Sequence, residues 1–109
     1  MGKNAADVPA FRQEVYAIVA AIPPGKVLAY GDVAWLAGRP RHARLVGRLL
    51  RDAPPGAGLP CHRVVNSAGR TAPHWLEQAE KLKEEGVVFR GGGCVDMKVC
   101  RWNVDQEGE

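Results

Sequence analysis

The chain has 109 residues, of which 46% are hydrophobic and 25% are charged, and its formal net charge is +3. This mixture is typical of a soluble globular protein and excludes a collagen-like, disordered or two-domain chain, so we predict a single domain over residues 1–109. The longest apolar stretch, Val15 to Ile22, is far shorter than the ~20 residues that cross a bilayer. We therefore expect neither secretion nor contact with a membrane.

The first predicted elements are a helix and a short extended segment. Apolar residues recur at helical spacing after Pro9, which predicts an amphipathic helix over roughly residues 9–22. This helix ends at Pro23-Pro24-Gly25, and Val27 to Tyr30 is predicted to be extended.

Two further helices are predicted next. Asp32 to Ala37 is typical of a short helix ended by Gly38, and Pro40 suits the start of a third helix from Arg41 to Arg51. The short turn between them predicts a helix-turn-helix over about residues 31–51. Trp35, in the first helix of this pair, is predicted to lie in the core.

The third helix has two faces when residues are placed at 100° intervals. One face is apolar and consists of Leu45, Val46, Leu49 and Leu50. The other is cationic and consists of Arg41, Arg44, Arg48 and Arg51. Between them, the small residues Ala43 and Gly47 would let another surface approach closely. Such a helix either binds nucleic acid or is a solvated surface helix, and the pattern alone leaves both open.

The second half of the chain is predicted to be less regular. After the loop from Asp52 to Pro60, the stretch from Pro73 to Glu85 predicts a helix closed by Gly86. Val87 to Arg90 and Val95 to Val99 are predicted strands of a hairpin around a glycine-rich turn. The predicted fold class is mainly α, of the α+β type, with a helix-turn-helix and a small C-terminal hairpin.

The cysteines indicate a reducing compartment. There are three of them, an odd number, and the spacing of Cys61, Cys94 and Cys100 suits no closed zinc site, so we expect no bound metal. A disulfide between Cys94 and Cys100 is the alternative. If that segment is one strand, however, its ends lie roughly 20 Å apart, which is too far for a bridge. We expect free thiols and a cytoplasmic protein.

One of these thiols lies in the segment Pro60-Cys61-His62-Arg63-Val64-Val65. A free thiol has a pKa of about 8.5, and a neighbouring imidazole or cation raises its thiolate fraction. Adjacent side chains of a strand point in opposite directions, so Cys61 and His62 cooperate only if the backbone turns there. Otherwise the pair is a buried cysteine beside a structural histidine, and the sequence pattern leaves both interpretations open.

Three segments together resemble the O6-alkylguanine-DNA alkyltransferases. They are Lys26 to Ala34, Ala37 to Gly47 and the active-site motif at residues 60–65, in the order and nearly the spacing of that family. The resemblance covers about residues 11–66. It implies the fold of the family's C-terminal domain, and it implies duplex DNA containing O6-alkylguanine as the partner.

The resemblance also implies roles for individual residues. In that family the motif cysteine accepts the alkyl group of a flipped guanine once, so Cys61 is the implied acceptor, deprotonated through water by His62. Glu85 matches the glutamate that orients the imidazole. Tyr30 matches the tyrosine that turns the target phosphate and protonates the departing guanine. Arg44 matches the arginine that fills the space left by the flipped base. No cofactor is implied.

Two groups of contact residues are predicted from the resemblance and from the pattern of residues together. The DNA-binding group is Tyr30, Arg41, Ala43, Arg44, Gly47, Arg48 and Arg51. The lesion-pocket group is Pro60, Cys61, Arg63, Val64 and Trp75. We expect a monomer that associates with the nucleoid when it is bound to DNA.

The chain departs from the alkyltransferases at several positions. Ala53 replaces an asparagine that follows the recognition helix, and Arg70 to Trp75 replace the glycine-rich loop that closes the pocket. The half from Asn66 to Trp102 is similar to the short alkyltransferase-like proteins, which bind alkylated guanine without repairing it and flag it for nucleotide excision repair. Those proteins carry tryptophan or alanine in place of the cysteine, whereas this chain has Cys61.

Two main hypotheses follow from this mixed pattern. The first is a methylated-DNA-protein-cysteine methyltransferase, each molecule of which transfers one alkyl group to its own Cys61. The second is a non-catalytic lesion sensor with nucleotide excision repair proteins as partners. A generic helix-turn-helix regulator is a third hypothesis.

Overall fold

The computed structural model describes residues 8–104. Within this range there are five α-helices and a two-stranded sheet, in the order α1 Val8–Ala21, β1 Leu28–Ala29, α2 Tyr30–Leu36, α3 Ala43–Arg51, β2 Val64–Val65, α4 Glu77–Glu84 and α5 Met97–Cys100. Two 3-10 turns, Pro55–Ala57 and Cys61–Arg63, lie between α3 and β2. The predicted mainly helical α+β fold is confirmed. No helix between residues 8 and 104 has the length and apolar character needed to span a membrane.

The first three helices pack into one apolar core, called here the first core. α1 contributes a stripe at helical spacing, Phe11, Val15 and Val19, as its periodicity predicts. The inward residues of α2 and α3 complete this core, and they are Val33, Ala34, Val46, Leu49 and Leu50. Cys61 packs against its edge.

A parallel pair of short strands joins the two halves of the chain. Leu28 lies opposite Val64 and Ala29 lies opposite Val65, and all four residues are buried. The sequence did not predict this pairing. Because Val65 also belongs to a second core, formed under α4 and the C-terminal segment, the strands connect the two cores.

The connection between α2 and α3 differs from the prediction. α3 begins at Ala43, so Arg41 lies ahead of the helix in the turn that precedes it. Gly38 ends α2 with a φ of 89°, a conformation that glycine adopts readily. The His42 N–H then donates to the Arg39 carbonyl at 3.0 Å, which closes a separate turn before the first bond of α3.

The C-terminal hairpin is present but short. Phe89 pairs in antiparallel fashion with Val95 across the glycine-rich turn. The predicted extension of the second strand to Val99 is wrong, because Met97–Cys100 is helical. The Asp96 side chain accepts hydrogen bonds from the N–H groups of Lys98 and Val99 at 3.1 and 3.3 Å, and this helix cap outweighs the alternation of apolar residues. Cys94 and Cys100 are free thiols.

Two other predictions are wrong, one about the burial of a side chain and one about where a helix begins. Trp35 is 68% exposed, because α2 turns its neighbours Val33 and Ala34 into the core and leaves the indole outside. α4 begins at Glu77 and not near Pro73, since the Trp75 N–H donates to the Ala72 carbonyl at 3.1 Å in a turn ahead of the helix.

Candidate active site and DNA interface

The motif at residues 60–65 folds as a tight turn followed by a strand. The Arg63 N–H donates to the Pro60 carbonyl at 2.9 Å and closes the 3-10 turn Cys61–Arg63, after which β2 begins. The backbone therefore turns at the place where cooperation between Cys61 and His62 requires it.

The Glu85 carboxylate lies at the end of α4 between two side chains of this turn. Its Oε2 atom lies 2.8 Å from Nε2 of His62 and accepts from Nη2 of Arg63 at 2.6 Å. Its Oε1 atom accepts from Nε of Arg63 at 2.9 Å. All three side chains are largely buried, with exposed fractions of 14 to 18%. The structure thus brings His62 and Glu85 together across 23 residues of sequence.

The charge of Glu85 determines which nitrogen of His62 carries a proton. The hydrogen bonds from Arg63, with a smaller contribution from His62, lower the pKa of Glu85 from 4.5 to about 2. An ionised carboxylate only accepts hydrogen bonds, so Nε2 of His62 is the donor. In the neutral ring Nδ1 is then unprotonated, and it is the nitrogen that can take a proton.

The Arg63 side chain is hydrogen-bonded within the protein, and its contact with a lesion stays a prediction. Its guanidinium makes two hydrogen bonds to Glu85, and Nη1 donates to the Ile22 carbonyl at 2.8 Å. The side chain therefore holds Glu85 in place and joins the turn to the end of α1. A bidentate pair of this kind is among the strongest in proteins, which explains why the carboxylate is well fixed.

The Cys61 thiol is half-buried beside the last turn of α3. Sγ donates to the Leu50 carbonyl at 3.9 Å. Burial raises the pKa of Cys61 above its ordinary value. A carbonyl at the C-terminal end of a helix also favours the neutral thiol over the thiolate. The resting form of Cys61 is therefore protonated.

Tyr30 begins α2 and lies near the same group. Burial raises the pKa of the Tyr30 phenol, and the negative charge of the Cys61 thiolate, once formed, raises it further. A Cβ built on Gly47 would lie 3.7 Å from the tyrosine ring, so the glycine on α3 faces this ring. Tyr30 therefore connects the thiol with the helix that is predicted to bind DNA.

The two faces of α3 are as predicted. Val46, Leu49 and Leu50 are buried, and Leu45 packs partly against the first core. The exposed cations are Arg44, Arg48 and Arg51 on the helix and Arg41 in the turn before it. Ala43 and Gly47 are half-buried. The structure thus presents a row of arginines on the side opposite the core.

The other predicted pocket residues differ in accessibility. Val64 is completely buried in β2, so its side chain belongs to the core and not to an open pocket. Pro60 is half-buried directly before the thiol. Trp75 is half-buried in the turn before α4, and its contact with a lesion stays a prediction.

Sequence reasoning missed Gln78, a completely buried side chain on α4. It lies four residues before the core residue Leu82, so both occupy the inward face of the helix. A glutamine at an apolar position of the helical repeat is the signal that could have identified it. Between residues 8 and 104, no group of three His, Cys, Asp or Glu side chains is arranged to hold a metal ion.

Comparison with known proteins assigns the chain to a family. Residues 10–87 match the family described as "6-O-methylguanine DNA methyltransferase, DNA binding domain". The chain belongs to this family. The resemblance found in its three sequence segments is thereby confirmed.

Relatives in this alkyltransferase family carry three kinds of name. A "DNA base-flipping protein" of Escherichia coli (strain K12) is 51% identical over 96 residues, which cover 85% of this chain and 74% of the relative. "Alkyltransferase-like protein 1" of Schizosaccharomyces pombe is 39% identical over 82 residues, covering 71% and 76%. "Methylated-DNA--protein-cysteine methyltransferase" of Cricetulus griseus is 32% identical over 95 residues, covering 79% and 43%.

Solved structures of the family share the fold. S. pombe Atl1, in complex with damaged DNA containing O6-carboxymethylguanine, matches with a TM-score of 0.78 and 32% identity, covering 88% of this chain and 97% of that one. Mycobacterium tuberculosis OGT in complex with DNA matches with a TM-score of 0.64 and 28% identity, covering 79% and 51%.

Proposed function

We propose that the protein binds O6-alkylguanine in duplex DNA, flips the base out of the helix and accepts the alkyl group on Cys61. The observation that carries this proposal is the hydrogen bond between Glu85, at the end of α4, and His62, which lies in the turn that begins with Cys61. A thiol, a base and a group that orients the base are the parts that nucleophilic catalysis requires.

The proposed reaction needs only groups of the protein, water and the lesion. The Cys61 proton passes through water to Nδ1 of His62, and the thiolate attacks the alkyl carbon. The bond between that carbon and O6 breaks, and its electron pair stays on the guanine, which takes a proton from Tyr30. The imidazolium of His62 returns a proton to Tyr30 through solvent. One S–C bond replaces the S–H bond, and the protein acts once.

The protonation states of Glu85 and Tyr30 support this division of roles. Glu85 stabilises the imidazolium that forms on His62, since its pKa of about 2 keeps it ionised. The raised pKa of Tyr30 keeps the phenol protonated, as a proton donor must be at neutral pH. No metal or organic cofactor is needed for these steps.

The arginine face of α3 supports the proposed binding of DNA. Extruding a base costs a few kcal/mol, so the gap in the stack must be filled. We propose that Arg44 fills it, that Arg41, Arg48 and Arg51 bind phosphates, and that α3 lies in the minor groove.

A lesion sensor that does not transfer the alkyl group is the second candidate, and a specific observation favours it. Burial and the Leu50 carbonyl both favour the protonated thiol, which does not attack carbon. In this case the protein binds the same lesion, and nucleotide excision repair proteins are its proposed partners.

Intact mass spectrometry separates the two candidates. The protein is incubated with a duplex that contains O6-methylguanine, and we expect a mass gain of one methyl group. Cys61→Ala should show no gain, whereas the control Cys94→Ala should gain the methyl group like the wild type. An unmodified wild type that still prefers the lesion over guanine would support the sensor. Loss of both modification and lesion preference would contradict the two candidates together.

A further inference from the structure

The amide of Gln78 lies in the interior of the protein, where both its nitrogen and its oxygen are hydrogen-bonded. Its Oε1 atom accepts from the Ala72 N–H at 2.7 Å. Its Nε2 group donates to the carbonyls of His62 and Val64 at 3.2 and 3.0 Å. Burying an amide is costly unless such bonds are made. The three hydrogen bonds therefore offset the cost of burying the Gln78 side chain.

These three bonds join segments that are separate in sequence. The His62 carbonyl belongs to the turn that carries the thiol, and the Val64 carbonyl belongs to β2. Ala72 belongs to the loop that stands where the family has its pocket-closing loop. Only a primary amide of this length offers two donors and an acceptor at once. Ala53 replaces an asparagine of the alkyltransferases, and it has no polar side chain with which to hold this turn.

We infer that Gln78 is a positioning residue for the lesion site. It sets the place of the Cys61–Arg63 turn relative to the loop around Ala72, and through them the depth of the pocket and the surroundings of the thiol. This inference rests on the proposed function, because it assigns Gln78 to the same site.

The variant Gln78→Met tests the inference, since it removes the three hydrogen bonds at similar volume. Without them the turn is held less firmly and the thiol becomes less buried. Because burial raises the pKa of Cys61, this pKa should then fall toward the value of a free thiol. We expect the reaction of Cys61 with iodoacetamide, followed by peptide mass spectrometry, to have its midpoint at lower pH than in the wild type. This measurement needs no DNA.

DNA binding gives a second measurement. The ratio of the dissociation constants for guanine and O6-methylguanine duplexes should fall about tenfold in Gln78→Met, the effect of about 1.4 kcal/mol. Binding to the undamaged duplex should stay the same, because the arginines of α3 are untouched.

Gln78→Glu provides a pH-dependent comparison. Its carboxylate keeps an acceptor for Ala72 but places negative charge against the carbonyls of His62 and Val64. When protonated, the acid can donate to one of these carbonyls. Its lesion preference, relative to the wild type at the same pH, should therefore recover as the pH is lowered from 8 toward 5.5.

Val15→Ala is the control for lost stability, because it weakens the first core away from this amide. Its melting temperature should fall while its iodoacetamide profile and lesion preference stay like those of the wild type. If Gln78→Met behaves in the same way, Gln78 is merely structural and the inference is wrong. If the wild type lacks lesion preference, the proposed function fails, while the iodoacetamide profile still decides the role of Gln78.

Discussion

At the scale of single residues, the carboxylate of Glu85 organises the candidate site. It accepts from both His62 and Arg63, and one oxygen serves the two partners. Nε2 of His62 is the donor because this carboxylate is ionised and only accepts hydrogen bonds. The chemistry of the motif therefore depends on a residue that lies outside it in sequence.

The lowered pKa of Glu85 predicts a pH dependence of stability. Because its pKa falls from 4.5 to about 2 on folding, Glu85 stabilises the protein above pH 4.5, and this contribution is lost as the pH falls toward 2. Urea unfolding should show this loss between these pH values. In Glu85→Gln the loss should be smaller, and the variant should be about 2 kcal/mol less stable at pH 7 because Arg63 loses its charged partner. Equal pH slopes for the two proteins would contradict the assignment.

At the scale of elements, the arginines of the predicted DNA-binding face lie partly on α3 and partly in the turn before it. Arg44 lies in the first turn of the helix, whereas Arg41 lies in the preceding turn. The helix buries Val46, Leu49 and Leu50, and this burial fixes the direction in which the arginines point. The two arginines are therefore expected to contact DNA in different ways.

Replacing these arginines by alanine should give different effects on binding. Arg44→Ala should weaken binding to an O6-alkylguanine duplex more than to undamaged DNA, because the side chain acts only when a base is flipped. Arg41→Ala should weaken both and reduce the slope of log affinity against log salt by about one. Fluorescence anisotropy over a salt series measures both effects. Equal losses for Arg44→Ala on the two duplexes would identify it as a phosphate contact only.

At the scale of the whole molecule, the C-terminal segment is tied to the helices that carry the DNA face. The backbone N–H of Trp102 donates to the Val27 carbonyl at 2.8 Å. The Arg101 guanidinium pairs with Asp32 on α2. Asp32 also accepts from the Ala29 N–H at 2.9 Å at the start of that helix. Asp32 thus links the two halves and caps α2.

Two variants separate these functions of Asp32. Asp32→Ala loses both the cap and the ion pair and should reduce the free energy of unfolding by about 1 to 2 kcal/mol. Arg101→Ala loses only a pair whose arginine is 58% exposed, and it should cost less than about 1 kcal/mol. Thermal and urea unfolding measure both. A larger loss for Arg101→Ala would show that the ion pair, and not the cap, is the dominant contribution.

Features that depend on neighbouring residues are predictable from the amino-acid sequence alone. The spacing of Phe11, Val15 and Val19 predicted α1, and the two-faced pattern predicted the orientation of α3. The motif around Cys61 and its two companion segments indicated the family. These features are local, because helical periodicity and short motifs are set by residues a few positions apart.

Features that depend on contacts between distant residues are seen only in the folded chain. The parallel pairing of Leu28 with Val64, the exposure of Trp35 and the contacts of Gln78 all involve segments far apart in the chain. The resemblance named Glu85, but only the fold shows that Arg63 holds it. Such contacts have no periodic signature, since their energy comes from burial and hydrogen bonds that form only when the two cores pack together.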